Sequence, residues 1–207
     1  MYIEQPLRHY LDELASGQPT PGGGSTSALS GAMAAALASM VARLTLGKAG
    51  YEEAQAEIEV IITQSEEERQ RFGELLEEDI AAYGRLSESY KLPRGTEEER
   101  AARSSAIQEH LAGAALVPLE VVETAARLSP LFARIAEIGN AGILSDLETA
   151  VMLANTAARG AAGMVRVNLR YMRDAHLVSQ LQTRLDAALQ QVEESGKQAI
   201  EIVGSRA

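Results

Sequence analysis

The sequence contains no cysteine and no tryptophan, few aromatic residues and only three histidines. The absence of cysteine excludes disulfides and thiolate ligands, and it favours a reducing, cytoplasmic location. His9, His110 and His176 do not have the spacing of metal ligands, so we expect no metal cofactor. Residues 1–16 lack the basic start and apolar run of a secretion signal, which also favours the cytoplasm.

Positive charge is scarce too, because 19 Lys and Arg residues stand against 29 Asp and Glu residues. The net charge of −10 disfavours nucleic acid as a partner, since phosphate binding requires clustered cations. One apolar stretch, 28–46, has the length of a membrane span, but it is rich in Ala, Ser and Gly. We interpret it as a buried helix of a soluble protein with no membrane partner.

Hydrophobic periodicity predicts an all-α fold. No segment alternates with the period of two that marks a strand, whereas apolar residues recur at steps of three and four. The predicted helices cover 2–16, 25–46, 51–91, 96–128, 130–138, 145–174 and 176–203. The length fits one domain, 1–207, and the fold class is a single-domain bundle of long helices with short loops.

Several side chains indicate where these helices begin or bend. Thr96 with Glu99 and Ser145 with Glu148 have the spacing of a capping box, in which each pair satisfies free backbone N–H groups. Pro118 lies inside a predicted helix, where proline removes a backbone hydrogen bond and frees a carbonyl. By contrast, Pro130 is predicted to open a new short helix. Leu7, Tyr10, Leu11 and Leu14 are predicted to form the apolar face of the first helix.

The loop PTPGGGS, residues 19–25, is the first candidate site. Glycine lets a backbone approach a ligand closely, and the helix that follows offers free N–H groups at its positive end. Ser25 or Thr26 is predicted to cap that helix. The loop is not a P-loop, because no Gly-Lys-Ser/Thr follows it. The competing interpretation is that the loop only makes a sharp connection between two helices and binds nothing.

Asp79 in the segment LLEEDIAAY is the second candidate. It lies seven residues after Phe72, three after Leu76 and four before Tyr83, which places it on the inward stripe of its helix. A carboxylate on an apolar face is costly unless it is paired or neutral, so its pKa is expected to be perturbed. The alternative is a structural Asp paired with an Arg.

Two further groups are ambiguous by spacing. Asn140, Ser145 and Asp146 fit turn and helix-cap chemistry as well as a site. On one face of a later helix, four arginines form a cationic strip that either holds an anionic substrate tail or pairs with Glu residues of a neighbouring helix. These arginines are Arg159, Arg166, Arg170 and Arg173.

Taken together, the motifs resemble the formiminotetrahydrofolate cyclodeaminase/methenyltetrahydrofolate cyclohydrolase family. The resemblance covers residues 5–175. It rests on LDELASGQPTPGGGSTSALSGAMAAALASMVARLTLGK, Tyr51 after GKAG, LLEEDIAAY, YKLP, ALVPLEVVE, GNAGILSD and RGAAGMVRVNLRYMRD. It implies an all-helical homodimer that acts on a tetrahydrofolate derivative without a metal. It also implies that the site is lined by Pro21, Gly22, Gly23, Gly24, Ser25, Lys48, Tyr51, Asp79, Tyr83, Asn140, Ser145 and Asp146.

The chemistry of such a substrate gives these residues roles. Water adds to the cationic amidinium carbon of 5,10-methenyltetrahydrofolate, and one C–N bond then breaks to leave 10-formyltetrahydrofolate. This reaction requires a carboxylate near the cation, a base for the water and a proton donor for the departing nitrogen. We assign Asp79 as either the carboxylate or the base and Lys48 or Tyr83 as the proton donor, with Asp146 as a further catalytic candidate. Arg166 and Arg170 are candidates for binding the glutamate tail.

Two alternatives remain open from the sequence. The chain carries no formiminotransferase segment, which favours the cyclohydrolase over the cyclodeaminase that releases ammonia from a formimino adduct. A helical bundle that binds folate or a partner without turnover fits the same fold. An inward Asp79 that is required for turnover would distinguish an enzyme from such a module.

Overall fold

The protein is a helical bundle, described here by a computed structural model over residues 1–206. Its α-helices are α1 Leu7–Leu14, α2 Gly23–Arg43, α3 Gln55–Lys91, α4 Glu97–Ile138, α5 Leu144–Tyr171 and α6 Ala175–Arg206. Short 3₁₀ turns cover Tyr2–Glu4, Glu52–Ala54 and Ala141–Ile143, and no strand occurs in the described part of the chain. The predicted all-α, single-domain bundle is therefore confirmed.

Helix α2 lies in the centre of the bundle, packed against α3, α4 and α5. Its residues are small, and a Cβ atom added at Gly31 would lie 2.3 Å from Cε1 of Phe72 on α3. Small residues at helical spacing thus let the two helices approach closely. Although α2 is long and apolar enough to cross a membrane, 67% of its most apolar window is buried inside the fold. This burial agrees with the interpretation of α2 as a core helix.

Helix α4 is longer than predicted, because Pro130 lies inside it instead of opening a new helix. Pro130 has no N–H to donate to the carbonyl of Ala126, four residues earlier. The side-chain amide of Gln191 on α6 donates to that carbonyl at 2.9 Å. The break predicted at Pro130 is therefore wrong, since a neighbouring helix supplies the missing donor.

The N-terminal segment is divided where one helix was predicted. Pro6 lies at the N-cap of α1 and separates it from the 3₁₀ turn Tyr2–Glu4. Tyr10 is buried as expected, but Leu7 and Leu11 are 63% and 50% exposed. The predicted apolar face of this helix is therefore wrong for these two leucines, because the short α1 contacts the bundle through Tyr10 and Leu14.

One of the two predicted capping boxes forms. Thr96 Oγ1 accepts from the N–H of Glu99 at 3.2 Å, and Glu99 Oε2 accepts from the N–H of Thr96 at 3.1 Å. The box predicted for Ser145 and Glu148 is absent, because α5 already begins at Leu144 with Ile143 at its N-cap. Ser145 thus lies inside the first turn of α5 and does not precede it.

Candidate functional site

A cavity of about 220 Å³ lies where the glycine loop meets α3, α4 and α5. Its polar lining comes from the backbone of Gly22, Gly23 and Gly24, from Asp79 and Tyr83 on α3, and from Asn168 on α5. Larger grooves exist on the outer face of α2 and α3 and between α3 and α4, but they are more open. Among the cavities described, this one combines a half-buried carboxylate with the N-terminus of a long helix.

The glycine loop leads into α2, and this helix begins two residues earlier than predicted. Gly22 is the N-cap, and its N–H donates to Ser25 Oγ at 3.1 Å. Ser25 Oγ–H donates back to the Gly22 carbonyl at 3.0 Å. The buried Ser25 side chain therefore stabilises this turn from inside the helix. The prediction that Ser25 or Thr26 is the N-cap residue is wrong.

The carboxyl group of Asp79 lies against this first turn. A Cβ atom added at Gly24 would lie 2.1 Å from Asp79 Oδ1, so only glycine permits the approach. Burial raises the pKa of Asp79 to about 6, and the backbone N–H of Ser25 opposes that rise in part. No ion pair among residues 1–206 includes Asp79. The inward, unpaired carboxylate is the arrangement predicted, and the Arg-paired alternative is not observed.

Tyr83 lies one turn after Asp79 and lines the same cavity. It is 45% exposed, so its predicted place among the buried residues of α3 is wrong. The phenol lies at the opening of the cavity, where one side contacts solvent. This position suits a group that exchanges protons with water, and the proton-donor role of Tyr83 stays a prediction.

Sequence reasoning missed Asn168, whose side chain lines the cavity from α5. Its amide Nδ2 donates to the carbonyl of Ala114 at 2.7 Å and to the carbonyl of Met164 at 3.0 Å. The Ala114 carbonyl is the one that Pro118 frees on α4. The sequence predicts the free carbonyl, but it does not indicate which distant side chain satisfies it.

A second group of predicted site residues lies at the opposite end of α2. At 1.5 Å per residue, the 21 residues of α2 span about 30 Å. These residues therefore do not line the Asp79 cavity of their own chain, and their place in the functional site stays a prediction. The group at the far end consists of Lys48, Tyr51, Asn140, Ser145 and Asp146.

Two of these residues hold loops together. Tyr51 Oη accepts from the N–H of Ala141 at 3.0 Å. The N–H of Asn140 donates to Thr45 Oγ1 at 2.9 Å, and its side-chain amide donates to the Leu44 carbonyl at 3.4 Å. These contacts tie the turn before α5 to the end of α2. Lys48 is exposed in the loop that follows α2, so the C-terminal end of α2 has a polar surface of its own.

The arginine strip lies outside the Asp79 cavity. Arg159 and Arg166 line a groove of about 390 Å³ between α5 and α6, hereafter the α5–α6 groove. Arg159 Nη2 pairs with Glu193 Oε2 at 3.7 Å. For Arg159, the structure thus shows the alternative in which the arginine pairs with a Glu residue of a neighbouring helix. Arg170 is exposed and does not line the Asp79 cavity. Tail binding by Arg166 and Arg170 stays a prediction that no contact with the cavity supports.

No metal centre is evident among the described residues. Across 1–206, no three or more His, Cys, Asp or Glu side chains form a group that could hold an ion. The three histidines lie apart on α1, α4 and α6. The expectation that no metal takes part stays a prediction.

Comparison with known proteins identifies a family. The sequence pattern described as formiminotransferase-cyclodeaminase matches residues 6–187. A methenyltetrahydrofolate cyclohydrolase from Methylorubrum extorquens is 36% identical over 202 residues, which cover 98% of this chain and 97% of that protein. The formimidoyltransferase-cyclodeaminase of mouse is 34% identical over 203 residues, but the match covers only 37% of its length.

A solved structure agrees with these matches. The crystal structure of a formiminotetrahydrofolate cyclodeaminase from Thermotoga maritima superposes with a TM-score of 0.89 and 29% sequence identity. The superposition covers 99% of this chain and 98% of that one. This chain is thus similar to proteins named for two related folate reactions.

Proposed function

This chain belongs to the formiminotransferase-cyclodeaminase family, and on that premise we propose that it hydrolyses 5,10-methenyltetrahydrofolate to 10-formyltetrahydrofolate. The observation that carries the proposal is the half-buried Asp79 carboxyl with a pKa of about 6 at the N-terminus of α2. The match to a cyclohydrolase along 97% of that protein's length supports this reaction over its relatives.

The geometry of the cavity suits this hydrolysis. Asp79 is ionised near neutral pH, so its carboxylate attracts the cationic amidinium and accepts a proton from the attacking water. The water oxygen bonds to the amidinium carbon and gives a neutral tetrahedral adduct. The bond from that carbon to N5 then breaks as N5 takes a proton and the hydroxyl group of the adduct releases one, so the carbon remains on N10 as a formyl group. Tyr83 of the same cavity and Lys48 are the two candidates for this proton donor.

The cyclodeaminase reaction is the second candidate, and the similarity to the Thermotoga structure favours it. In that reaction N10 attacks a formimino carbon carried by N5, and ammonia leaves. Both reactions pass through a tetrahedral carbon held by two ring nitrogens, so the same carboxylate serves either. An unpaired, half-buried carboxylate costs stability. Catalysis explains why the protein keeps it, whereas a non-catalytic folate-binding module does not require it.

Parallel assays of the purified protein distinguish these functions. One assay follows the loss of 5,10-methenyltetrahydrofolate absorbance against buffer, and the other follows ammonia release from 5-formiminotetrahydrofolate. We expect clear acceleration of the first reaction. Ammonia release without hydrolysis would assign the cyclodeaminase, and no turnover of either substrate would refute the proposal of an enzyme.

We also propose a homodimer formed along the uncovered face of α2. The groove between α2 and α3 is apolar, and Met33, the middle residue of α2, is 46% exposed within it. The uncovered residues of this face follow the three-four spacing of a packing seam, and Thr26 and Met40 lie seven residues on either side of Met33. They are Thr26, Leu29, Met33, Ala36, Met40 and Arg43. A two-fold axis at Met33 would place antiparallel α2 helices face to face.

Such a dimer would bring the two separated groups of motif residues together. The glycine-loop end of one α2 would lie beside the Lys48 end of the other. The site would then consist of Asp79 from one subunit and Lys48 from its partner, which the distance along α2 forbids within one chain.

This arrangement predicts complementation between inactive variants. Asp79→Asn and Lys48→Met are each expected to lose most activity. After mixing and exchange of subunits, roughly a quarter of wild-type activity should return, because half of the dimers are mixed and each has one intact site. Initial rates of the mixture are compared with each variant alone. A mixture as inactive as its components, with subunit exchange demonstrated, would refute the shared site.

We further propose that the protein acts in the cytoplasm, without a metal and without a nucleic-acid or membrane partner. The absence of cysteine and the net charge of −10 support this proposal. The burial of most of α2 inside the bundle supports its solubility.

A further inference from the structure

The side chain of Asn168 is held in one orientation by the backbone of α4 and α5. Its Nδ2 donates to the carbonyls of Ala114 and Met164, at 2.7 and 3.0 Å. Both neighbours are acceptors, so the nitrogen end of the amide must face them and the oxygen end must face away. Pro118 makes this possible, because an ordinary residue there would use the Ala114 carbonyl within the helix.

The oxygen end of this amide has no hydrogen-bond partner among the described residues. Asn168 lines the Asp79 cavity, and its Oδ1 accepts no hydrogen bond from any described residue. Rotation of the side chain would break two hydrogen bonds, so the acceptor stays in place before a ligand arrives. A fixed, unused acceptor in a cavity selects a ligand with an N–H or O–H donor at that point.

We propose that Asn168 Oδ1 accepts a hydrogen bond from an N–H group of the reduced pterin ring, and that Pro118 is the residue that positions it. This inference rests on the proposed function. The reduced pterin carries N–H donors on its pyrimidine edge and at N8. In the methenyl form, the reacting carbon and its two nitrogens carry no N–H, so this contact lies away from the bond that breaks.

This placement predicts which kinetic constant changes. A hydrogen bond to the unreacting edge of the ring is equally strong in the substrate complex and in the transition state. Its loss therefore raises KM and leaves kcat nearly unchanged. For one neutral hydrogen bond the expected rise in KM is about ten-fold.

Gln191 provides a matched control elsewhere in the fold. It donates from α6 to the Ala126 carbonyl that Pro130 frees, just as Asn168 serves the carbonyl freed by Pro118. Gln191 does not line the Asp79 cavity. Asn168→Ala and Gln191→Ala therefore leave the same kind of carbonyl unpaired, and only the first removes an acceptor from the cavity.

The experiment measures melting temperature, KM and kcat for both variants with 5,10-methenyltetrahydrofolate, or with the formimino substrate if that is the one turned over. Both variants should melt below the wild type. Only Asn168→Ala should raise KM about ten-fold, with kcat within roughly two-fold of wild type. Equal KM values in the two variants would overturn the proposal, as would a loss of kcat at unchanged KM.

A double variant separates binding from folding. In Pro118→Ala the new N–H bonds to the Ala114 carbonyl, so Asn168→Ala in that background should lower the melting temperature less. KM should nevertheless stay raised. Recovery of a wild-type KM together with stability would show that Asn168 acts only on the fold and would overturn the proposal. An inactive wild-type protein would overturn the proposed function, whereas an active one with unaltered Asn168→Ala kinetics would overturn this inference alone.

Discussion

Replacing Asp79 with Asn is expected to lower kcat by roughly a hundred- to ten-thousand-fold, which is the usual contribution of a general base. The amide keeps the shape of the side chain but neither attracts the amidinium nor accepts a proton from water. Single-turnover rates with 5,10-methenyltetrahydrofolate measure the effect. Because Asn fits the same space against Gly24, the variant should fold normally. Activity within a few-fold of wild type would remove Asp79 from the mechanism.

The same residue should set the pH dependence of the wild-type enzyme. The ionised form of Asp79 is the active one, so kcat/KM should rise as pH increases through about 6 and then level off. The residual activity of Asp79→Asn should lack this rise. A wild-type profile that is flat between pH 5 and pH 8 would contradict the role of Asp79 as the base.

The raised pKa also has a consequence for stability. Between its ordinary value of 3.8 and its folded value of about 6, Asp79 binds more protons in the folded chain than in the unfolded one. Its contribution to stability is therefore fully present below the lower value and is lost as pH rises to the upper one. Above pH 6, Asp79→Asn should be the more stable protein, by about 2 kcal/mol at most given the partial exposure of the group.

Gly24→Ala is expected to reduce kcat/KM by roughly a hundred-fold, because a fixed catalytic geometry does not tolerate a shift of about 1 Å. The added Cβ would lie 2.1 Å from Oδ1 and 2.5 Å from Cγ of Asp79, so the carboxyl group must move. Alanine favours a helix more than glycine does, so the first turn of α2 should persist. Steady-state kinetics and circular dichroism of the variant test both expectations.

Substitutions at two other glycines serve as controls for the loss of activity in Gly24→Ala. A Cβ atom at Gly84, on α3 and outside the Asp79 cavity, would meet nothing within 4 Å. Gly84→Ala should therefore keep full activity and gain up to about 1 kcal/mol of stability. A Cβ atom at Gly23 would touch only Met164, at 3.7 Å, so a smaller loss is expected. Equal losses at positions 23 and 24 would show that the contact with Asp79 is not the cause.

Features that depend on neighbouring residues in the chain could be predicted from the sequence. The capping box of Thr96 and Glu99 needs only three residues of spacing, and it forms. The inward position of Asp79 follows from the helical period that also buries Phe72 and Leu76. Both arguments require a helix and no knowledge of its partners.

Features that depend on distant partners could not be predicted. Pro130 reads locally as a break, and only Gln191 on α6 explains why α4 continues. Asn168 carries no local sign of function, because its orientation comes from a carbonyl on another helix. The motif residues appear as one set in the sequence, yet the length of α2 separates Lys48 from Asp79.

Amide hydrogen exchange with and without tetrahydrofolate tests the position of the site most directly. Neither proposed reaction consumes tetrahydrofolate, so it stays bound under anaerobic conditions. The N–H groups of Gly23 and Gly24, in the first turn of α2, have no partner within the helix and should exchange fast in the free protein. We predict that tetrahydrofolate slows exchange at residues 22–26 and near Asn168. Protection confined to the α5–α6 groove at Arg159 and Arg166, with none at residues 22–26, would contradict the placement of the folate site around Asp79.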